Sequence, residues 1–421
     1  MNTTTLRWID YWIGRPLCTL LTWWRWICSW FFAERASGLP RSILFVKLEE
    51  QGAMVLAGAA LAKAHSFVGK EHVYFCTFDQ NDCILRALGL LEEKNVFTLR
   101  SDSFVHLLFD TVRVLWRIRR LRIDAVIDME FFARGSAAFS FLTGARIRVG
   151  LHHFTSEIPY RGDLMTHRVA YNPYLHTARA YELLVDALKE EPGDIPLLKV
   201  PAHREASFEP PCFTPGKEDF DAVYSVLGVL RERENAPVIV FHPNLIDTLR
   251  VRKWDIRRYR QLGRWLLEAY PRAVLVITGL GDEVQGAEEL RRSLDSDRVY
   301  NAAGALSLRE LLTLFTCADV LVTNDSGPAH FASATPIHVV ALFGPETPLL
   351  FRPLGARVRV IYHALACSPC LTTFNFRLSP CRNNVCMQAI TAEEVFEAVR
   401  VCLAERGFAA EAAVCAPAVS Q

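Results

Sequence analysis

Apolar and polar positions along this chain fall into alternating blocks. Short runs rich in β-branched and aromatic residues recur at 42–48, 72–78, 125–128, 237–242, 273–278, 319–323 and 337–343. Runs of this kind, apolar on both faces, predict buried parallel strands. Between them lie segments with helical spacing, at 53–64, 83–91, 105–120, 176–188, 218–231 and 391–403. Strand and helix in alternation predict an α/β fold.

The stretch 317–351 carries the clearest local signal. A β-branched run, Asp319-Val-Leu-Val-Thr323, stops at Asn324-Asp325-Ser326-Gly327, residue types that favour turns and helix N-caps. Pro328 suits the first helical position, where its missing N–H costs nothing. A small-residue helix at 329–334 then leads to a strand at 337–343, closed by Gly344-Pro345. Free backbone N–H groups at Ser326 and Gly327 suit a phosphate, with His330 one turn on. Asp325 repels a phosphate, which assigns it to sugar hydroxyls or to capping. A capped helix of any α/β domain explains the spacing equally well.

The first 36 residues differ from the rest. Six of the nine tryptophans lie between Trp8 and Trp30, and Arg15 and Arg25 break the apolar run. The uncharged part, 16–24, is too short to span a bilayer. Beyond Pro16, Leu20, Trp24, Ile27 and Phe31 share one helical face, and Thr22, Arg25 and Ser29 share another. A Trp-rich amphipathic helix with basic flanks predicts a segment at the membrane interface. The alternative is a helix docked on the protein's own surface or on a partner.

Length and composition set the frame. A chain of 421 residues fits two domains with a tail at each end, and six of the 21 prolines fall between 192 and 215, where a linker is expected. The expected plan is a membrane-interface segment at 1–40, a first domain at 41–205, a linker and entry helix at 206–235, a second domain at 236–407 and a tail at 408–421. With 47 basic and 46 acidic residues, bulk charge gives no argument for nucleic acid as a partner. Twelve cysteines in a chain of this length do not make a disulfide framework, and most are read as reduced. Cys367, Cys370, Cys381 and Cys386 have spacings that would suit zinc, although no metal is assigned.

Thr323-Asn-Asp-Ser-Gly-Pro-Ala-His330 followed by Ala341-Leu-Phe-Gly-Pro-Glu-Thr-Pro348 resembles the signature of glycosyltransferase family 9, which includes ADP-heptose:lipopolysaccharide heptosyltransferases. Further matches run in order from about residue 42 to 400. The resemblance implies a GT-B fold, two Rossmann-like domains facing a cleft, and inverting, metal-independent sugar transfer without a cofactor. It implies a nucleotide-sugar donor resembling ADP-heptose in the second domain and a lipid-linked glycan acceptor, such as lipopolysaccharide core, on the first. The expected location is the cytoplasmic face of a bacterial inner membrane, held peripherally through residues 1–36.

Inverting transfer needs a base for the acceptor hydroxyl and donors for the departing diphosphate. The donor set expected from the resemblance is Asp325, Ser326, Gly327, Pro328 and His330, with Lys253 as a phosphate partner before Trp254. Gly279, in Gly279-Leu-Gly281 at a strand end, and Glu283, a candidate for ribose hydroxyls, complete it. Two departures stand out. Asn244 occupies the place of a glycine after Pro243, and the basic loop 244–252 is long. More seriously, the family's first loop reads Gly-Asp with Asp as the base, whereas this chain has Gly52-Ala53. Either Glu50 (preferred, being nearer the turn) or Glu49 replaces that base, or the chain is a binding subunit of an envelope-polysaccharide assembly. A sugar-nucleotide epimerase of the same fold is a weaker third reading.

Overall fold

The structure is a computed structural model that describes residues 3–31, 38–152, 160–193, 197–201, 208–231, 235–244, 247–375 and 377–410. It divides into two units, Met1–Phe208 and Glu209–Gln421. Residues 1–2 and 32–37 of the expected membrane-interface segment, 206–207 and 232–234 of the expected linker and entry helix, and 411–421, most of the expected tail, lie outside the described residues.

Unit 1 opens with helices α1 (Thr3–Trp12) and α2 (Gly14–Phe31). Then follow β1 (Ile43–Val46), α3 (Gln51–Leu56), α4 (Gly58–Val68), β2 (Val73–Phe78), α5 (Asp82–Ala87), β3 (Val96–Leu99), α6 (Phe104–Leu121), β4 (Ala125–Asp128), α7 (Arg134–Leu142), β5 (Ile147–His152), β6 (His167–Ala170) and α8 (Thr177–Asp186). Among the described residues the strands form one parallel sheet in the order β3-β2-β1-β4-β5-β6. β1 and β4 are buried at every position, as parallel strands covered on both faces must be.

One face of this sheet packs Leu44, Val46, Phe97 and Val126 against Val114 and Ile118 of α6 and Phe139 of α7. Leu6 of α1 joins the same cluster. α1 and α2 are thus both helical, where the spacing predicted one helix beyond Pro16. α2 turns its polar side inward: Cys18 and Thr22 are buried, and the Thr22 hydroxyl donates to the Cys18 carbonyl (2.7 Å) and accepts from the Asp163 N–H (2.9 Å). Arg25 pairs with Asp163 at 2.9 Å. The predicted apolar face, Leu20, Trp24, Ile27 and Phe31, is exposed.

Unit 2 contains α9 (Lys217–Val226), β7 (Val238–His242), α10 (Ile256–Ala269), β8 (Val274–Ile277), α11 (Val284–Leu294), β9 (Val299–Asn301), α12 (Leu308–Cys317), β10 (Val320–Asn324), α13 (Gly327–Ser333), β11 (His338–Phe343), α14 (Pro348–Phe351), β12 (Val358–Tyr362), α15 (Val385–Gln388) and α16 (Ala392–Glu405). Its described strands run parallel in the order β12-β11-β10-β7-β8-β9. The core on one face joins α10 and α16 to the sheet through Leu262, Leu266, Val395, Phe396 and Val399. Helix α5 is shorter than the pattern at 83–91 suggests, because Gly89 takes a positive φ of 59° just beyond it.

In each sheet the chain starts at an inner strand, builds outward to one side, and returns to start on the other. The reversal falls between β1 and β4 in unit 1 and between β7 and β10 in unit 2. Loops leaving adjacent strands diverge there, which opens a crevice at the strands' carboxyl ends.

Candidate functional site

In unit 2 the crevice is lined by residues from the ends of β7, β8, β10 and β11. Asn324, fully buried at the end of β10, donates from Nδ2 to the Pro243 carbonyl (2.9 Å) and accepts from the Tyr259 hydroxyl (3.2 Å). One amide thereby ties the β10 turn to the loop after β7. Asn244 next to it has φ 51°, a left-handed conformation that Asn tolerates better than most side chains. This accounts for Asn where glycine was expected.

Beyond that loop a 3₁₀ turn, Asp247–Arg252, brings Arg252 into the crevice. Its guanidinium pairs with Asp325 (3.3 Å) and, more tightly, with Glu346. Arg377 reaches the other oxygen of Glu346 at 3.2 Å. Asp325 and Glu346 are both buried, so each cation offsets the cost of desolvating a carboxylate. Burial pushes the Asp325 carboxyl up, and Arg252 pulls it partly back. For Arg252, burial lowers the pKa, but Asp325 and Glu346 outweigh it and the guanidinium stays charged.

The Ser326 hydroxyl donates to the Asn324 carbonyl (3.2 Å) and lies 3.3 Å from the Thr323 hydroxyl. Gly327 begins α13 with Pro328 behind it, and a Cβ on Gly327 would meet the Phe331 ring at 3.1 Å. His330 is buried in the same short helix. At the end of β8, a Cβ on Gly279 would meet Glu283 Oε2 at 2.9 Å. Glu283 accepts the Leu280 N–H at 2.7 Å and is buried, so one of its oxygens is already committed to the turn. His242, with Nδ1 3.0 Å from the Thr278 hydroxyl, has its pKa lowered to about 4 by burial, against the pull of Glu283 and Asn244.

The crevice of unit 1 holds a second charged cluster. Buried Lys47, just after β1, donates to Glu130 (2.8 Å) and Glu50 (3.3 Å). Glu130 Oε1 also accepts the N–H groups of Leu48 (2.6 Å) and Glu49 (3.0 Å), clamping the loop from the β4 side. Glu50 has φ 71° at the start of α3, an uncommon conformation for a glutamate. Asp128 at the end of β4 pairs with Arg161 and accepts from the Ser136 hydroxyl (2.9 Å). Desolvation raises the Asp128 pKa, and the Arg161 charge opposes that. Ala53 lies buried in the first turn of α3.

Of the residues anticipated from sequence, Asp325, Ser326, Gly327, Pro328 and His330 therefore gather in one turn of unit 2. Gly279 and Glu283 are at the end of β8, two strands away in the same sheet with β7 between. Lys253 is half-buried, directly after Arg252, and its carbonyl accepts from Asn384 Nδ2 (2.8 Å). Glu49 and Glu50 sit in unit 1, where Glu50's carboxylate faces Lys47. Asp325 does not cap α13 with its side chain; Arg252 takes it instead. The sequence pointed to no role for Arg252, Glu346, Arg377 or Lys47. Glu346 lies inside the quoted motif and Arg252 inside the loop noted as basic, so their identity was visible, but their pairing was not. Among the described residues no set of three or more His, Cys, Asp or Glu side chains is arranged to hold a metal. No described helix is long and apolar enough to cross a membrane.

Residues 112–376, well over half of the chain, match glycosyltransferase family 9 (heptosyltransferase). The chain belongs to this family. Lipopolysaccharide heptosyltransferase 2 of Salmonella typhimurium is 32% identical over 114 residues, 26% of this chain and 32% of the relative. Lipooligosaccharide heptosyltransferase 2 of Haemophilus influenzae is 32% identical over 129 residues, covering 30% and 36%. The chain thus spans about a third of the length of these curated relatives. Among solved structures, a family 9 glycosyltransferase from Veillonella parvula aligns with TM-score 0.68 and 17% identity over 87% of this chain and 97% of that one. Escherichia coli ADP-heptose lps heptosyltransferase II aligns with TM-score 0.64 and 17% identity, covering 87% and 100%. The two Rossmann-like units are those of the GT-B fold found in such family 9 proteins.

Proposed function

We propose that this family 9 member is an inverting, metal-independent glycosyltransferase. It moves a sugar, heptose by its likeness to the heptosyltransferases, from a nucleotide-sugar donor to a lipid-linked glycan such as lipopolysaccharide core. The observation that carries the reading is the family match together with the Asp325–His330 turn at the reversal point of the unit 2 sheet. Crevices of this kind receive nucleotides in open α/β sheets. The donor diphosphate would rest on the N–H groups of Ser326 and Gly327 with Lys253 as a charged partner, and sugar hydroxyls would meet Asp325. Pro328 holds the turn, His330 lines it, and Gly279 and Glu283 border the nucleoside.

The acceptor hydroxyl needs a base, and Glu50 fills that role in this reading, with Lys47 and Glu130 fixing its loop. A positioned base contributes about 10²–10⁴ in rate. Residues 1–36 would hold the protein on the cytoplasmic face of the inner membrane, exposed tryptophans toward lipid. A second reading has one specific observation in its favour: buried Ala53 stands where the family's base is expected. On that reading the protein binds nucleotide sugar or glycan and serves an envelope-polysaccharide assembly without turnover. A panel of nucleotide sugars, ADP-heptose first, assayed with lipopolysaccharide-core acceptors separates the two. Release of nucleoside diphosphate dependent on acceptor is expected. Donor binding without release across the panel would establish the binding role instead.

A further inference from the structure

Helix α6 has two apolar faces. One, formed by Leu107, Val114 and Ile118, packs on the sheet. The other, formed by Val105, Leu108, Phe109, Val112 and Trp116, follows the spacing i, i+3, i+4, i+7, i+11 and points away from it. These five side chains keep between 55% (Leu108) and 72% (Val105) of their surface exposed. A surface helix of a water-exposed domain normally turns polar residues outward, and a contiguous apolar stripe marks an interaction site.

The charges along the stripe from Arg113 onward are of one sign. Arg113, Arg117, Arg119, Arg120 and Arg122 are all exposed, and the Arg120 guanidinium lies 4.4 Å from the Trp116 ring centroid. Asp110, the one acidic residue between 104 and 123, is buried and held by Arg100 (2.7 Å) and Arg113 (3.2 Å). His106 is matched by Asp102 at 2.8 Å before the first turn. An exposed apolar stripe bordered by arginines, with exposed Asp102 only at its N-terminal end and paired with His106, complements a surface that is apolar beneath and anionic on top. α1 packs on the same face of the sheet as α6, through Leu6 against the cluster that holds Leu107 and Leu115. Its own Trp8 and Trp12 are 60% exposed.

We propose that α6 is a second membrane-contacting element, which lays its Val105–Trp116 stripe into the interface of an anionic bilayer while its arginines meet lipid phosphates. This extends the peripheral-membrane part of the function proposed above and does not depend on sugar transfer. Amphipathic interfacial helices bind through buried apolar area plus attraction to anionic lipid, and one weak element rarely anchors a protein alone.

The test is co-sedimentation of the full chain with vesicles of phosphatidylcholine alone and of phosphatidylcholine mixed with phosphatidylglycerol. Wild type should bind the mixed vesicles better, and added salt should weaken that binding. Leu108→Ser/Phe109→Ser/Trp116→Ser should reduce partitioning at least about tenfold. Arg117→Gln/Arg120→Gln should reduce it about fivefold per charge, on mixed vesicles only. Because these side chains are exposed, thermal unfolding of both variants should match wild type, which excludes misfolding as the cause. Trp23→Ser/Trp30→Ser runs in parallel: if it binds as wild type while the α6 variants do not, the N-terminal reading fails and the α6 assignment stands. Equal binding of wild type and the triple variant overturns the assignment. So does a wild type that ignores both vesicles but forms an oligomer that the triple variant dissolves, since the stripe then packs against protein.

Discussion

At each reversal point a buried acid holds a cation whose partner lies far away in the chain, while the turn beside it is built locally. Asp325 and Ser326 are placed by a local pattern, a β-branched run ended by turn formers, and local patterns are what a sequence displays. Arg252 meets Glu346 across 94 positions of sequence and Lys47 meets Glu130 across 83. Such partners are set by the order of strands in the sheet, which no local window contains. His242 gives a residue-scale prediction. Its folded pKa, about 4, lies below the ordinary 6.5, so the folded state favours the neutral ring. The stabilisation is complete above pH 6.5 and is lost as pH falls from there toward 4, because the unfolded chain binds a proton that the folded one refuses. Comparing wild type with His242→Gln by denaturant unfolding removes this ring together with its interaction with Glu283. The stability difference between them should shrink as pH falls from 7 to 4; a constant difference would remove His242 as its source.

Among the elements, inner strands were the most legible, whereas β3, β5, β6, β9 and β12 match no run read from sequence. Parallel strands buried on both faces advertise themselves as apolar runs, and β7, β8, β10 and β11 fall within a residue or two of the segments read from sequence. For 1–36, amphipathic spacing was readable, but not which face the protein would claim. The structure docks the polar face of α2 and leaves the tryptophans out, so docking and membrane contact are compatible here. Asp163 holds α2, and a second carboxylate holds α1. Asp10 of α1 accepts the N–H groups of Arg134 (2.8 Å) and Gly135 (2.7 Å) at the start of α7, where Ala133 offers no side-chain cap, and pairs with buried Arg134 at 3.3 Å. A helix distant in sequence thus caps α7. Asp10→Ala should cost roughly 1–3 kcal/mol of stability, combining a lost cap with a less well-paired buried guanidinium. Asp10→Asn, which retains an acceptor oxygen, should recover part of it. Thermal denaturation measures both, and limited proteolysis within 1–31 should speed up in Asp10→Ala alone. If Asp10→Ala melts as wild type does, α1 is not anchored by this cap.

At the scale of the whole molecule, the same sheet topology occurs twice with different chemistry at its reversal point. Unit 1 presents carboxylates around one buried lysine; unit 2 presents a turn of small residues, backbone N–H groups and cations held by two buried acids. On the proposed reading these clusters divide the reaction, proton removal in unit 1 and diphosphate binding in unit 2, so substitutions in each should move different observables. Lys253→Ala should weaken nucleoside diphosphate binding in calorimetry by roughly 1.5–3 kcal/mol, the worth of one charge-assisted contact. Glu50→Gln should leave that affinity unchanged while lowering turnover about 10²–10⁴-fold, and Glu49→Gln should lower it less. Were Glu50→Gln to weaken nucleotide binding as much as Lys253→Ala, the division of labour between the units would be wrong. Ala53→Asp decides the remaining alternative. If Glu50 is the base, a carboxylate in the buried first turn of α3 sits beside a loop already crowded with Glu49, Glu50 and Glu130, and turnover should not rise. If wild type turns over no donor and Ala53→Asp does, Glu50 is not the base, and the chain is a binding protein that lacks only the family's aspartate.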